Sequence, residues 1–296
     1  MLATPTDMES AQAHLLADGK RLHLHHGPID LIIEAFGADR DAAYRSAAQR
    51  FETILTELVG ELPLLRERAV SNRTFAGAVA RRMQKAVEPF CAQFVTPMAA
   101  VAGSVADEIL AAIQNVPEMR KAYVNNGGDV AFHLCEGETI NAAISGLPHG
   151  RITMDFTQPF RGIATSGWRG RSFSLGIADS VSVVAADAAS ADVAATMIAN
   201  AVALEGCPRV KTSPADELSP DSDLGTMLVT IDVGELYPEE VDLALDQGAK
   251  VAQSLLNCGL IGGAVLQLHD EIRAVGLPAD RQSYPNEIPA RKLIDA

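Results

Sequence analysis

Arg21-Leu22-His23-Leu24-His25-His26-Gly27-Pro28-Ile29-Asp30-Leu31-Ile32-Ile33-Glu34-Ala35 holds two β-type runs, Arg21 to His25 and Ile29 to Ala35, on either side of His26-Gly27-Pro28. Gly-Pro punctuation between such runs reads as strand, turn, strand. Directly after it, Tyr44, Ala47, Phe51, Ile54, Leu55 and Leu58 recur with the spacing of an amphipathic helix. A hairpin feeding a helix is the opening of an α+β layer rather than of a doubly wound parallel sheet.

The remainder keeps that texture. Phe75, Val79, Met83 and Val87 predict a second helix ended by Pro89, and Met98 to Ile113 a third. Ala122 to Asn125 and Val130 to Leu134 read as strands around Asn126-Gly127-Gly128-Asp129. Further strands are expected at Arg151 to Phe156, Arg161 to Thr165, Ser172 to Leu175 and Ser180 to Ala185. A helix follows from near Ser190 to about Leu204, then a polar loop from Thr212 to Asp223. A strand (Met227 to Val233), a helix (Pro238 to Leu256) and two strands (Ala264 to Leu268, Ile272 to Ala274) complete the pattern. The ββα opening and the later strand-helix-strand units hint at an old duplication. Boundaries are expected at an N-terminal tail over 1–18, a single domain over 19–277 and a C-terminal tail over 278–296.

The 296 residues are 48% hydrophobic, enough for a sizeable core. Lys and Arg number 24 against 38 Asp and Glu, so the net charge of −14 disfavours nucleic acid and anionic membrane as partners. Aromatic content of 5%, with Trp168 the one tryptophan, gives no stacking platform for single strands. The longest apolar stretches are too interrupted to span a bilayer, and the first residues show no secretory signal. Cys91, Cys135, Cys207 and Cys258 lie far apart without a CxxC pair. That spacing suits reduced thiols in a cytoplasmic protein better than a disulfide or zinc framework.

Four segments could carry chemistry. Asn126-Gly127-Gly128-Asp129 reads either as a hairpin turn or as a loop that lets a ligand reach backbone N–H groups. Thr165-Ser166-Gly167-Trp168-Arg169-Gly170-Arg171, with Arg161 nearby, reads as an anion-holding bend or as a solvated loop. Asp192 and Thr196 stand four apart at a helix start, and a carboxylate and a hydroxyl on one face suit Mg²⁺. The competing reading is a helix capped by Ser190, with Asp192 in the first turn serving the helix dipole. His23, His25 and His26 form a histidine cluster, read as exposed strand residues rather than ligands because no further His or Cys has matching spacing.

Taken in order, Val101-Ala102-Gly103-Ser104-Val105-Ala106-Asp107, Val124-Asn125-Asn126-Gly127-Gly128-Asp129, Ile163-Ala164-Thr165-Ser166-Gly167 and Ala191-Asp192-Val193-Ala194-Ala195-Thr196 resemble the ApbE-like superfamily, best known for magnesium-dependent FAD:protein FMN transferases. Gly27 to Leu58 also looks like that family's first strand and helix. The resemblance implies an α+β, T-fold-related bilobed layered domain with largely antiparallel sheet flanked by helices. It implies a flavin nucleotide, FAD or FMN, as ligand, with Mg²⁺ at its diphosphate. Asp192 and Thr196 match the metal-binding Asp and Thr, and the backbone near Ala100 and Val101 would add a carbonyl. Gly103, Asp107, Asn126, Gly127, Gly128, Asp129, Thr165, Ser166 and Gly167 match positions against the nucleotide.

The chain departs from the transferases at two places. Ala102-Gly103-Ser104-Val105-Ala106-Asp107 stands where they have Lys-Gly-Tyr-Ala-x-Asp, and Ser174-Leu175-Gly176-Ile177 where they carry a His-Ile-Ile-Asp-Pro segment. Ala102 and Leu175 thus replace the family Lys and His. These losses, and the lack of an export start, resemble a separate cytoplasmic branch. The expected function is Mg²⁺-assisted binding of a flavin nucleotide or related diphosphate, with FMN transfer or FAD hydrolysis as the activity of an enzyme. The alternative is a non-catalytic or accessory metabolite-binding protein of the same fold, linked to sulfur or amino-acid metabolism. A homo-oligomer is compatible with either.

Overall fold

The computed structural model describes residues 10–143 and 151–276, which form two compact units, one of residues 10–138 with 155–157 and one of residues 139–143, 151–154 and 158–276. Of the expected tails, residues 1–9 and 278–296 lie outside the described residues.

In the first unit the opening hairpin forms as its sequence requires. Strands β2 (Leu22–His26) and β3 (Ile29–Gly37) pair antiparallel around Gly27, whose φ of +57° suits glycine. Leu22, Leu24, Ile29, Leu31, Ile33 and Ala35 alternate into the core, while His23, His25, Asp30 and Ile32 take the other face. Residues read as tail supply one more strand, β1 (Gln12–Leu15), which pairs antiparallel with β2. All four of its residues are exposed, so no apolar alternation announced it. Helix α1 (Arg40–Leu65) is capped by Asp39 and buries Ala43, Tyr44, Ala47, Phe51, Ile54, Leu55, Leu58 and Leu65. Helices α2 (Ala78–Val87) and α3 (Val101–Gln114) follow, and β4 (Met119–Asn126) and β5 (Asp129–Leu134) complete the unit's strand order β1-β2-β3-β4-β5.

The three helices are tied by charge. Glu108 of α3 accepts from Arg50 of α1 at 2.9 Å and from Arg82 of α2 at 3.0 Å, and Arg50 also reaches Glu57. Burial works to raise the Glu108 carboxyl, but its two arginine partners outweigh that and hold it below the usual carboxylate range.

The second unit repeats the plan of two hairpins with helices between them. Strands β8 (Gly162–Ser166), β9 (Ser180–Ala185), β12 (Gly263–Leu268) and β13 (Glu271–Val275) succeed one another antiparallel. Helices α4 (Ala188–Ala201) and α6 (Pro238–Asn257) pack on them. All six residues of β9 are buried, as expected of a strand covered on both faces. Two smaller strand pairs flank this plan: β6 (Thr139–Ala143) with β7 (Arg151–Asp155), and β10 (Val210–Pro214) with β11 (Leu228–Val233).

Two expectations are corrected. Ser172 to Leu175 is not a strand: the Leu175 N–H donates to the Asn200 side chain of α4, and the Ser174 carbonyl accepts a single bond from the Thr230 N–H of β11. The stretch from Thr212 to Asp223 is not wholly a loop, since Thr212 to Pro214 belong to β10 and Ala215–Leu218 forms the short helix α5. β10 is carried by backbone pairing with β11 rather than by apolar alternation, and its Pro214 sits at the strand end where a missing N–H is tolerated.

Candidate functional site

The helix that carries Asp192 and Thr196 starts earlier than Ser190. Its N-cap is Asp187, whose carboxylate accepts from the Ser190 N–H at 2.8 Å. Asp192 therefore stands beyond the first turn, where the helix dipole gives a carboxylate little. The dipole explanation for Asp192 loses its footing, while its position one turn from Thr196 on the same face stands.

Strand β8 is pressed against this helix. A Cβ on Gly162 would lie 2.1 Å from the Asp187 carbonyl carbon, so glycine is required there. At the far end of β8, Ser166 Oγ stands 3.5 Å from Thr196 Oγ1, and Thr165 Oγ1 is 2.8 Å from Ser182 Oγ. Ser166, Asp192 and Thr196 are half-buried, and Gly162 and Ser166 share the face of β8 that meets α4, whereas Thr165 turns to the opposite face beside Ser182.

The loop after Ser166 is held by a residue the sequence did not advertise. Gly167 fits because a Cβ would come within 2.5 Å of the Asp179 carbonyl oxygen. The Asp179 carboxylate accepts from the Trp168 indole N–H at 3.0 Å, from Arg169 Nε at 2.6 Å and from the His269 backbone N–H at 2.6 Å. Arg169 also lies over the Trp168 ring, 4.5 Å from its centre. Its charge is thus already met by a carboxylate, which weakens it as a phosphate clamp. Arg161 donates to the Gln158 and Phe160 carbonyls of its own turn. The one available signal for Asp179 was an acidic residue placed directly ahead of a wholly apolar-and-Ser strand.

Ser174-Leu175-Gly176-Ile177 seats on the C-terminal end of α4. Leu175 N–H donates to Asn200 Oδ1 at 2.9 Å, Ile177 N–H to the Val202 carbonyl at 2.7 Å, and a Cβ on Gly176 would lie 2.0 Å from the Ala199 carbonyl oxygen.

In the first unit, α3 opens at Val101 after a 3-10 turn over Pro97–Ala100. The Val101 carbonyl points along the helix toward the Val105 N–H. Gly103, Ser104 and Asp107 are buried, and Ser104 Oγ has no hydrogen-bond partner among the described residues. Asn126 Nδ2 donates to the Ala102 carbonyl at 3.1 Å, which joins the first two family segments. Asn126 pairs with Asp129 across a two-residue turn in which Gly127 and Gly128 have φ of +65° and +117°. Gly128 N–H is taken by Asn125 Oδ1 at 2.8 Å. The hairpin-turn reading of this segment is therefore realised in the backbone.

The candidate residues thus form two sets, each inside one unit: Val101, Gly103, Asp107 and Asn126 to Asp129 in the first, Thr165 to Gly167, Asp192 and Thr196 in the second. The histidines form a third group. His23 Nδ1 is 3.1 Å from His14 Nε2, His23 Nε2 is 3.1 Å from Asp30, and His26, expected to be exposed, is buried beside Phe51. Among the described residues no group of three or more His, Cys, Asp or Glu side chains has the geometry to hold a metal by itself. No helix among them is long and apolar enough to cross a membrane.

Comparison with known proteins places this architecture. Residues 13–274 match the AbpE bacteria family, and the chain belongs to it and, as its four ordered segments suggested, to the ApbE-like superfamily. A UPF0280 protein of Methanopyrus kandleri is 35% identical over 176 residues, 58% of this chain and 69% of that protein. A UPF0280 protein of Methanococcus maripaludis strain C7 is 40% identical over 115 residues, and the chain spans 45% of its length. Among solved structures, the apo form of Pseudomonas stutzeri flavinyl transferase ApbE aligns over 96% of this chain and all of its own, with 11% identity and a TM-score of 0.46. Flavin transferase ApbE from Vibrio cholerae gives 11% identity and 0.45, over 93% and 99% of the two chains.

Proposed function

We propose that this chain binds a flavin nucleotide, FAD or FMN, or a related diphosphate together with Mg²⁺, and that it transfers FMN or hydrolyses FAD. The observation that carries the reading is that Thr196 Oγ1 lies 3.5 Å from Ser166 Oγ on the face of α4 that also carries Asp192 one turn earlier, so the groups that share this face are oxygens. Oxygen-only donors with a single carboxylate suit a hard cation that fills its remaining positions with water and phosphate oxygens. Asp192 and Thr196 would hold the ion. When bound, Mg²⁺ would neutralise the diphosphate.

The chain's own residues would bind and orient. Ser166 and Gly167 would line the nucleotide beside the ion, within the second unit. With a net charge of −14, a phosphate ligand meets a repulsive field, so local N–H donors and the cation must supply the attraction. A cytoplasmic location belongs to the same proposal. Incubation of the purified chain with FAD and Mg²⁺, with separation of the products, tests it: FMN or AMP is expected, and neither binding nor product would overturn it.

A second reading rests on positions 102 and 175. Ala102 offers a methyl group and Leu175 an isobutyl group where the transferases carry Lys and His, so a non-catalytic metabolite-binding protein of this fold is the alternative. A thermal shift on adding FAD without turnover would select it, because a ligand that binds the folded state raises its apparent stability.

A further inference from the structure

Outside these residues, the end of β5 carries a second set of reactive groups. His133 and Cys135 are two apart, which puts both side chains on one side of the extended chain. Cys135 Sγ lies 3.4 Å from His133 Nε2, and the other ring nitrogen, Nδ1, lies 2.9 Å from the Gln114 side-chain amide nitrogen at the end of α3. An amide N–H donating to Nδ1 leaves the imidazole proton on Nε2, aimed at the sulfur. The thiol itself donates to the Met119 carbonyl at 3.3 Å, and the Cys135 N–H to the Arg120 carbonyl at 2.8 Å, which fixes the position of the sulfur.

We propose that Cys135, His133 and Gln114 form a nucleophilic thiol site that accepts small disulfides. The thiolate is the nucleophile, and an N–H aimed at it stabilises the charge it carries while attacking. In the step, the Cys135 proton leaves to water and the sulfur attacks one sulfur of the disulfide. A new S–S bond forms, the old one breaks, and the departing thiolate takes a proton from water. Cys135 is oxidised and the departing half reduced, so no other oxidant is needed. His133 touches the reacting atom; Gln114 is a positioning residue that sets the ring's tautomer.

The chain supplies its own controls. All four cysteines are free. Cys91 Sγ donates to a backbone carbonyl, that of Val87 at 3.7 Å, as Cys135 does to Met119, so Cys91 is the matched control for what His133 adds; Cys207 Sγ lies 4.0 Å from the Glu240 carboxylate, which opposes negative charge on sulfur, and Cys258 is exposed at the end of α6.

The experiment treats the full chain with glutathione disulfide and follows mixed disulfide at each cysteine by peptide mass spectrometry. Cys135 is expected to react about tenfold faster than the more exposed Cys258. His133→Ala should bring it down to the Cys258 rate, His133→Asn, which keeps an N–H donor, should restore part of the difference, and Gln114→Leu should slow Cys135 while leaving Cys91, Cys207 and Cys258 unchanged. A wild-type Cys135 no faster than Cys258 would overturn the proposal without any variant, and so would an unchanged Cys135 rate in a folded His133→Ala protein.

Discussion

The Asp179 carboxylate accepts the Trp168 indole N–H at 3.0 Å, and through that bond the chain's one tryptophan reports on the loop that follows Thr165, Ser166 and Gly167. The same carboxylate holds Arg169 and the His269 N–H, so its loss strands three donors at once. Asp179→Ala should lower stability by about 2–4 kcal/mol, since hydrogen bonds to a charged acceptor are the stronger kind. Trp168 fluorescence should shift to the red as the indole gains water. A variant with wild-type melting and emission would show that the loop is held by other means.

Gly176 is expected to tolerate no side chain. The Cβ of Gly176→Ala would meet the Ala199 carbonyl oxygen at 2.0 Å and that of Val202 at 2.7 Å, both backbone and neither able to rotate away. A loss of about 3 kcal/mol or more follows, read from denaturant unfolding. Gly128→Ala, which meets no atom within 4 Å, should lose far less, although its φ of +117° still disfavours alanine. Equal losses at the two positions would contradict the packing described for α4.

The alkaline limb of stability should depend on Tyr123. Burial, and then the neighbouring Glu34 carboxylate, push its hydroxyl up to about 12. A group raised in the folded state contributes fully below its unfolded value of about 10, and that contribution is lost as pH rises toward 12. Burial raises Tyr44 as well, so it shares the same limb. Tyr123→Phe should flatten part of the fall in melting temperature across that range and leave the acid limb unchanged.

The elements that alternation and helical spacing specify were legible in the chain: the β2-β3 hairpin, α1, α3, the β4-β5 hairpin, α6 and the β12-β13 hairpin. What escaped was set by partners far away in sequence. β1 has no buried residue, and β10 owes its strand to β11 rather than to its own polar sequence. The start of α4 was misplaced by three residues because both Asp187 and Ser190 are good caps, and only the geometry shows that Asp187 caps Ser190. At the candidate site, Asp192, Thr196 and the Thr165-Ser166-Gly167 run were legible as an ordered pattern. Asp179 and the pairing of Cys135 with His133 were not, since a hydrogen bond between side chains leaves no period in a sequence.

The central claim is that Asp192 and Thr196 hold the cation on which nucleotide binding depends. Titration of FAD into the purified chain, with and without Mg²⁺, for wild type and Asp192→Ala, tests it most directly. The wild type should bind FAD at least about tenfold more tightly with Mg²⁺, a difference of about 1.4 kcal/mol, and Asp192→Ala should lose that gain while melting like the wild type. An Asp192→Ala protein that keeps the full Mg²⁺ dependence, or a wild type that binds FAD equally well in chelator, would contradict it.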